Sequence, residues 1–174
     1  MNQIRKIALL LVMVSITGIL SAQSLKFGHI NSSELLSIMP ERELAQKNLQ
    51  TFAAELEDQL GLMNTELETK YADYQKNEAT FNTAVKAAKQ KELTDLQTRI
   101  QEFQGLAEQN YQTKQAELFQ PIIDKANKAV QEVGKENGFL YIFDISTGTV
   151  VFFSETSVDV MPLVKTKLGI TATK

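Results

Sequence analysis

Cysteine and tryptophan are absent from the sequence, and histidine occurs once, as His29. Without cysteine there can be no disulfide, no thiolate zinc site and no cysteine nucleophile. One histidine leaves no multi-histidine metal site within a subunit. The carboxylates are spread along the chain as on a solvated helix face, and the glycines show no phosphate-loop spacing. The sequence therefore predicts neither an enzyme nor a bound cofactor or metal.

Glycine and proline are scarce in the middle of the chain. Residues 41–133 contain only Gly61, Gly105 and Pro121, and they are dominated by Ala, Gln, Glu, Lys and Leu. On either side of this stretch, β-branched and aromatic residues become frequent. A segment this long with so few helix breakers is typical of extended helices rather than of a compact bundle.

Basic residues are also fewer than acidic ones. The formal net charge is −3, and it becomes −5 when Arg5 and Lys6 are left out. A nucleic-acid binder presents a basic face, so we expect no nucleic-acid partner.

The first 22 residues have the layout of a secretory signal peptide. Arg5 and Lys6 precede an uncharged, mainly apolar run over residues 7–20, and small residues follow it up to Ala22. This run is shorter than the roughly 20 apolar residues that span a bilayer. We expect cleavage after Ala22 and export of residues 23–174 without a stable membrane anchor; an uncleaved N-terminal anchor is the alternative.

The two ends of the exported chain predict a small β base. Residues 25–31 predict a strand, and Asn31 and Pro40 are placed to begin and end a short helix. Residues 139–145 and 149–153 are rich in aromatic and β-branched side chains and predict a β-hairpin.

The middle of the chain predicts an antiparallel helical hairpin. Apolar residues recur over residues 49–74 in an eleven-residue repeat, which favours a nearly straight seam. Turn-forming residues interrupt the pattern at 75–83, and a second stripe runs over 93–122. Gly61 weakens the first helix and Pro121 is expected to kink the second, so both are candidate hinges.

Together these patterns predict one mainly helical α+β domain. Residues 23–40 and 134–174 form its β base, with a last helix at 160–168, and residues 41–133 form a helical arm with its tip at about 76–86. Three short strands rarely form an independent core, so we expect identical subunits to cover the base. The residues predicted to form this shared β body are Phe27, Ile30, Tyr141, Phe143, Val151 and Phe153.

Three segments, in this order, resemble the Skp/OmpH family of periplasmic chaperones, in the form typical of Bacteroidetes. They are LKFGHINSSELLSIMPE, the helical arm with RIQEFQ and ELFQPIIDKANKAV, and ENGFLYIFDISTGTVVFFS with the later VDVMPLVKTKL. The resemblance covers the whole exported chain. It implies a periplasmic homotrimer shaped like a jellyfish, in which helical tentacles hold unfolded outer-membrane proteins without ATP.

The chain departs from the family's best-known members because those are strongly basic. Here only the predicted tip is basic, whereas residues 41–68 carry seven acidic and two basic side chains. We therefore do not carry over the binding of lipopolysaccharide. Met161 is a second departure, since family members often have Thr there.

The candidate client contacts lie in the distal half of the arm. They are Tyr71, Tyr74, Phe81, Val85 and Phe103, with Lys76, Lys86, Lys89 and Lys91 around the tip. The competing interpretations are seam packing for the apolar residues and plain solvated charge for the lysines. For His29 an ordinary strand position competes with a metal site shared by three copies. For the whole protein, the alternative is a coiled-coil spacer of the cell envelope that handles no client.

Overall fold

The computed structural model describes residues 25–170, so the predicted signal peptide lies outside the described residues. Long helices and one small sheet make up the fold, which confirms the mainly helical α+β class. The elements are β1 (Phe27–Ile30), α1 (Ser32–Ile38), α2 (Pro40–Asn77), a 3-10 turn (Glu78–Thr80), α3 (Thr83–Glu136), β2 (Tyr141–Asp144), β3 (Val158–Asp159) and α4 (Met161–Leu168).

The helix boundaries follow the capping residues. Asn31 Oδ1 accepts a hydrogen bond of 3.1 Å from the Glu34 amide at the start of α1. Pro40 occupies the first turn of α2, where its missing N–H leaves no intrahelical bond unmade. Asn82 Oδ1 accepts from the Val85 amide at 2.9 Å and begins α3 after the reversal. The predicted short helix and the predicted reversal are therefore both confirmed.

The arm consists of α2 packed along α3, and its interior is the predicted seam. Leu49 and Tyr74 of α2, and Leu96 and Ile100 of α3, are buried. Tyr71 is the exception in the stripe, because its side chain is exposed. Helix α3 continues without a break through Pro121. At 1.5 Å per residue, α2 is about 57 Å long.

The sheet differs from the predicted hairpin. Its strand order is β2-β1-β3, and β1 pairs in parallel with both neighbours. The prediction of a strand at 149–153 is wrong: that segment is irregular, and β3 lies later in the chain. The topology explains this, because β2 and β3 flank β1 and the chain between them must cross from one edge of the sheet to the other.

The hydrophobic core lies where the sheet, α1, α4 and the root of the arm meet. Leu35, Val160 and Val164 are fully buried there. Gly28 of β1 lets the sheet approach this core closely, since an added Cβ would lie 2.9 Å from a Val160 methyl carbon and 3.1 Å from the Phe139 ring. Residues from both ends of the described chain therefore form the core of the base.

Hydrogen bonds to Asp144 join the end of β2 to the start of α1. The Asp144 carboxylate accepts from the Ser32 amide at 3.1 Å, the Ser32 hydroxyl at 2.5 Å and the Ser146 amide at 2.9 Å. Partial burial pushes the pKa of Asp144 upward, but these hydrogen bonds outweigh it and hold the pKa below its ordinary value. Lys125 of α3 pairs with Glu41 of α2 at the root of the arm.

The buried seam generates the first prediction. Leu96 is 1% exposed and Leu106, on the same helix, is 56% exposed. Leu96→Ala should lower the free energy of unfolding by about 3 kcal/mol because it leaves a cavity. The matched control Leu106→Ala should stay within about 0.5 kcal/mol of the wild type. Urea unfolding followed by circular dichroism measures both, and equal losses would contradict the packing of the seam.

The Asp144 network generates a second prediction. Asp144→Ala should cost about 2 kcal/mol at pH 7, because hydrogen bonds to a charged acceptor are lost. The pKa is lowered on folding, so the wild type gains this stability above the unfolded-state pKa of about 3.9 and loses it as pH falls through the folded value. The difference between wild type and variant should therefore shrink at pH 3. Urea titrations at one protein concentration test this, and a difference independent of pH would refute it.

Candidate functional site

One face of the sheet carries exposed aromatic side chains; we call Phe27, His29, Tyr141 and Phe143, together with Phe153 of the segment that follows β2, the sheet face. Phe27 pairs in register with Tyr141, and His29 with Phe143, so the four side chains share one side of the sheet. The rings of Phe27 and Tyr141 stack at 6.3 Å, and those of Tyr141 and Phe143 at 5.9 Å. Such a continuous aromatic surface is typical of an interaction site.

The predicted β-body residues divide between two surfaces. Phe27, Tyr141, Phe143 and Phe153 are exposed, as required for contact with another molecule. Ile30 is not: it is 3% exposed and belongs to the subunit's own core. The alternation of side chains along β1 explains this correction, because Gly28 and Ile30 point away from Phe27 and His29.

The segment that connects β2 to β3 crosses the sheet face. Phe153 lies over His29 with the two ring centroids 4.2 Å apart, and Ser157 Oγ is 2.9 Å from His29 Nδ1. At the middle of the segment, Val151 and Phe152 are 96% and 83% exposed. The segment and the sheet face together line an open groove of about 610 Å³. Together with the sheet face, these two side chains form an exposed apolar patch of the kind that marks an interaction site.

The tip lysines have more acidic partners than the sequence suggested. Lys91 pairs with Asp95 at 2.6 Å, and Lys89 lies 3.5 Å from Glu92. Lys70 of α2 also binds Glu92, at 2.5 Å, and their hydrogen bond lowers the pKa of Glu92 and raises that of Lys70. The tip is therefore less basic than a count of its lysines implies.

The other two lysines, Lys76 and Lys86, make no ion pair with any residue in the described part of the chain. Both lie within a few residues of the reversal. Of the four predicted lysines, these two are the ones best placed to meet an anionic group on another molecule.

The predicted apolar contacts at the distal end are not equivalent. Tyr74 is buried in the arm, where its hydroxyl accepts from Gln90 at 2.9 Å and donates to Glu78 at 3.2 Å. Its ring lies 6.2 Å from that of Phe81. Tyr74 therefore packs inside the arm near the tip. The prediction that its side chain contacts a client is corrected, because that side chain is buried.

The remaining apolar candidates range from half-buried to exposed. Tyr71 and Val85 are exposed on the arm, whereas Phe81 and Phe103 are partly covered by it. Only the first two are fully available to another molecule without opening the arm.

Three exposed leucines on the arm were missed by the sequence analysis. Leu44 and Leu62 of α2 are 62% and 66% exposed, and Leu106 of α3 is also exposed. Leu44 and Leu62 are 18 residues apart, which is five helical turns, so they share one face of α2. They lie outside the seam stripe. An apolar residue that does not fit the spacing of that stripe is the sequence signal that could have identified them.

The described residues hold no group of three or more potential metal ligands. In the same part of the chain, no helix is long and apolar enough to cross a membrane. What this arrangement offers is contact surface: an aromatic sheet face on the base, and scattered apolar side chains with two unpaired lysines on a projecting arm.

The model of the family described as outer membrane protein (OmpH-like) matches residues 26–168. The chain belongs to this family. The resemblance to Skp/OmpH proteins is therefore confirmed, and it covers the base and the arm together. OmpH-like proteins are periplasmic chaperones rather than enzymes, so membership indicates an outer-membrane protein chaperone of the Skp/OmpH kind. Comparison with curated proteins finds no match.

Proposed function

We propose that this OmpH-like protein is an ATP-independent periplasmic holdase. After removal of residues 1–22, residues 23–174 act as one unit, and three copies joined at their bases hold an unfolded outer-membrane protein between their arms. The observation that carries the proposal is the pairing of a projecting two-helix arm with an exposed aromatic surface on one small base. The arm supplies reach, and the face supplies a means of holding several arms together.

Assembly from identical copies is supported by the surfaces that one subunit leaves open. Strand β2 is an edge strand, and the segment 149–153 has no strand partner in the described residues. Exposed edges and extended apolar segments of this kind pair readily with another chain. In the proposed trimer, the segment 149–153 of one copy adds to the β2 edge of the next, and Val151 and Phe152 become buried.

Client binding is proposed to rest on many weak contacts. Leu44, Leu62 and Leu106, with Tyr71 and Val85, give each arm dispersed apolar side chains that no seam covers. Three arms around one cavity would present these contacts together, so that confinement and avidity supply the affinity. Hinge motion at Gly61 or Pro121 stays a prediction, and lipopolysaccharide is not among the proposed partners.

The third prediction concerns the client. The exported form should suppress the aggregation of a urea-denatured outer-membrane barrel protein after dilution, with one trimer per client by native mass measurement. The double variant Leu62→Gln/Leu106→Gln should bind the client at least about tenfold more weakly, because every arm that contacts the client loses two contacts of about 0.7 kcal/mol each. The control Gln59→Ser/Gln101→Ser changes exposed polar positions on the same helices and should bind normally.

The outcomes of this experiment are separable. Wild-type protein that fails to suppress aggregation would overturn the holdase and favour the envelope spacer, which has the same arm but no client. Normal binding by the leucine variant would remove those leucines from the client surface.

The fourth prediction concerns assembly. Sedimentation equilibrium of the exported form should give three times the subunit mass. Val151→Asp/Phe152→Asp should give single subunits with unchanged helical circular dichroism, since both side chains are exposed in one subunit and their replacement costs it little. Leu106→Asp, a charge on the arm, is the control and should remain trimeric. A variant at positions 151 and 152 that stays trimeric would exclude this segment from the interface.

A further inference from the structure

The seam of the arm is closed at both ends and open in the middle. Leu49 is buried toward the root, and Tyr74, Leu96 and Ile100 are buried toward the tip. Between them, no residue of α2 from 50 to 73 and none of α3 from 101 to 121 is buried. An apolar stripe on a helix is stable when another element covers it, and two helices cover their seam from two sides only. The middle of the arm therefore keeps an apolar surface for a further segment.

An open groove of about 390 Å³ follows this part of the seam, and we call it the mid-arm groove. Its apolar lining comes from both helices and is partly buried throughout; it consists of Ala53, Leu56, Leu60, Phe103, Ala107 and Tyr111. An apolar side chain that enters the groove removes these residues and itself from water, which is favourable.

The charge beside the mid-arm groove is of one sign. Glu57 and Glu108 also line the groove, and both are exposed. Residues 50–69 carry five acidic side chains and residues 100–113 carry two, with no lysine or arginine in either range. Neither Glu57 nor Glu108 forms an ion pair with another described residue. A cation that approaches the groove therefore has no existing ion pair to displace.

We infer that the mid-arm groove binds client segments in which lysine or arginine flanks apolar side chains. The apolar side chains enter the groove, and the cationic groups reach Glu57 and Glu108 while their aliphatic stems lie along its apolar lining. The middle of a second copy's arm is a poor occupant, because it would bring seven further carboxylates to the same place and no cation. The inference rests on the proposed holdase and specifies the chemistry of the client segments that its arms prefer.

Three synthetic peptides of equal length, each ending in tryptophan, test this inference. The first alternates lysine with leucine, the second has glutamate in place of lysine, and the third has serine in place of leucine. The protein contains no tryptophan, so the fluorescence of the peptide alone reports binding to the exported form. At about 0.15 M salt, where distant charges are screened, the lysine–leucine peptide should bind at least about tenfold more tightly than either of the others.

Two double variants locate the preference. Glu57→Gln/Glu108→Gln should weaken binding of the lysine–leucine peptide about fivefold, because two attractive charges at the groove are lost. The control Glu55→Gln/Glu102→Gln removes the same charge from exposed positions of the same helices outside the groove lining, and it should stay within about twofold of the wild type. Circular dichroism shows that both variants keep their helices.

The outcomes separate this inference from the holdase itself. Equal binding of the lysine and glutamate peptides, or equal effects of the two double variants, would overturn the inference. A serine peptide that binds as tightly as the lysine–leucine peptide would assign binding to charge alone and overturn the role of the groove. A protein that suppresses barrel aggregation but binds no peptide would keep the holdase and leave the groove to another occupant, such as a second copy. The expected peptide preference without suppression of aggregation would keep the groove and refute the holdase.

Discussion

The parallel pairing of β1 with β2 is the constraint on which the rest of the structure depends. These strands are the two chain segments that flank the arm, and backbone bonds from Leu140 to Lys26 and from Ile145 to Ile30 extend their ladder at both ends. Parallel neighbours require a long crossover connection, and here the whole arm serves as that connection. Closing so long a loop costs entropy, and the helical hairpin lowers this cost because it holds its own two ends side by side at the base. The arm and the base therefore stabilise one another.

The helical part of this design could be predicted because its determinants are local. These determinants are the seam stripe, the cap at Asn31, the helix stop at Pro40 and the turn-forming residues at 75–83. Each acts within a few residues, and the structure agrees with them. Strand pairing is not local in this fold. The residues of neither segment give a local signal that β1 pairs in parallel with a strand more than 100 residues away. Residues 149–153 have the composition of a strand, yet composition does not say whether the partner belongs to the same chain.

The candidate site was predictable to a similar extent. Phe27, Tyr141 and Phe143 of the sheet face were identified from their strands, but Ile30 was misassigned because the inward side of β1 was not known before the pairing was seen. At the tip, lysines were counted without the acids one turn further along α3. Glu92 and Asp95 reach back to them in space, which a count within a sequence window does not capture.

Polar and apolar groups are distributed on the arm in a way that suits a holding role. Leu44 and Leu62 are separated by about 27 Å along α2, at 1.5 Å per residue. Leu44 lines a shallow groove with Leu118, Pro121 and Ile122, so an apolar side chain of another molecule can make more than one contact there. An extended chain covers the same distance in roughly eight residues at about 3.3 Å each. In the proposed holdase, a client with apolar residues at irregular intervals would meet such points one at a time, exchanging contacts without a fixed register.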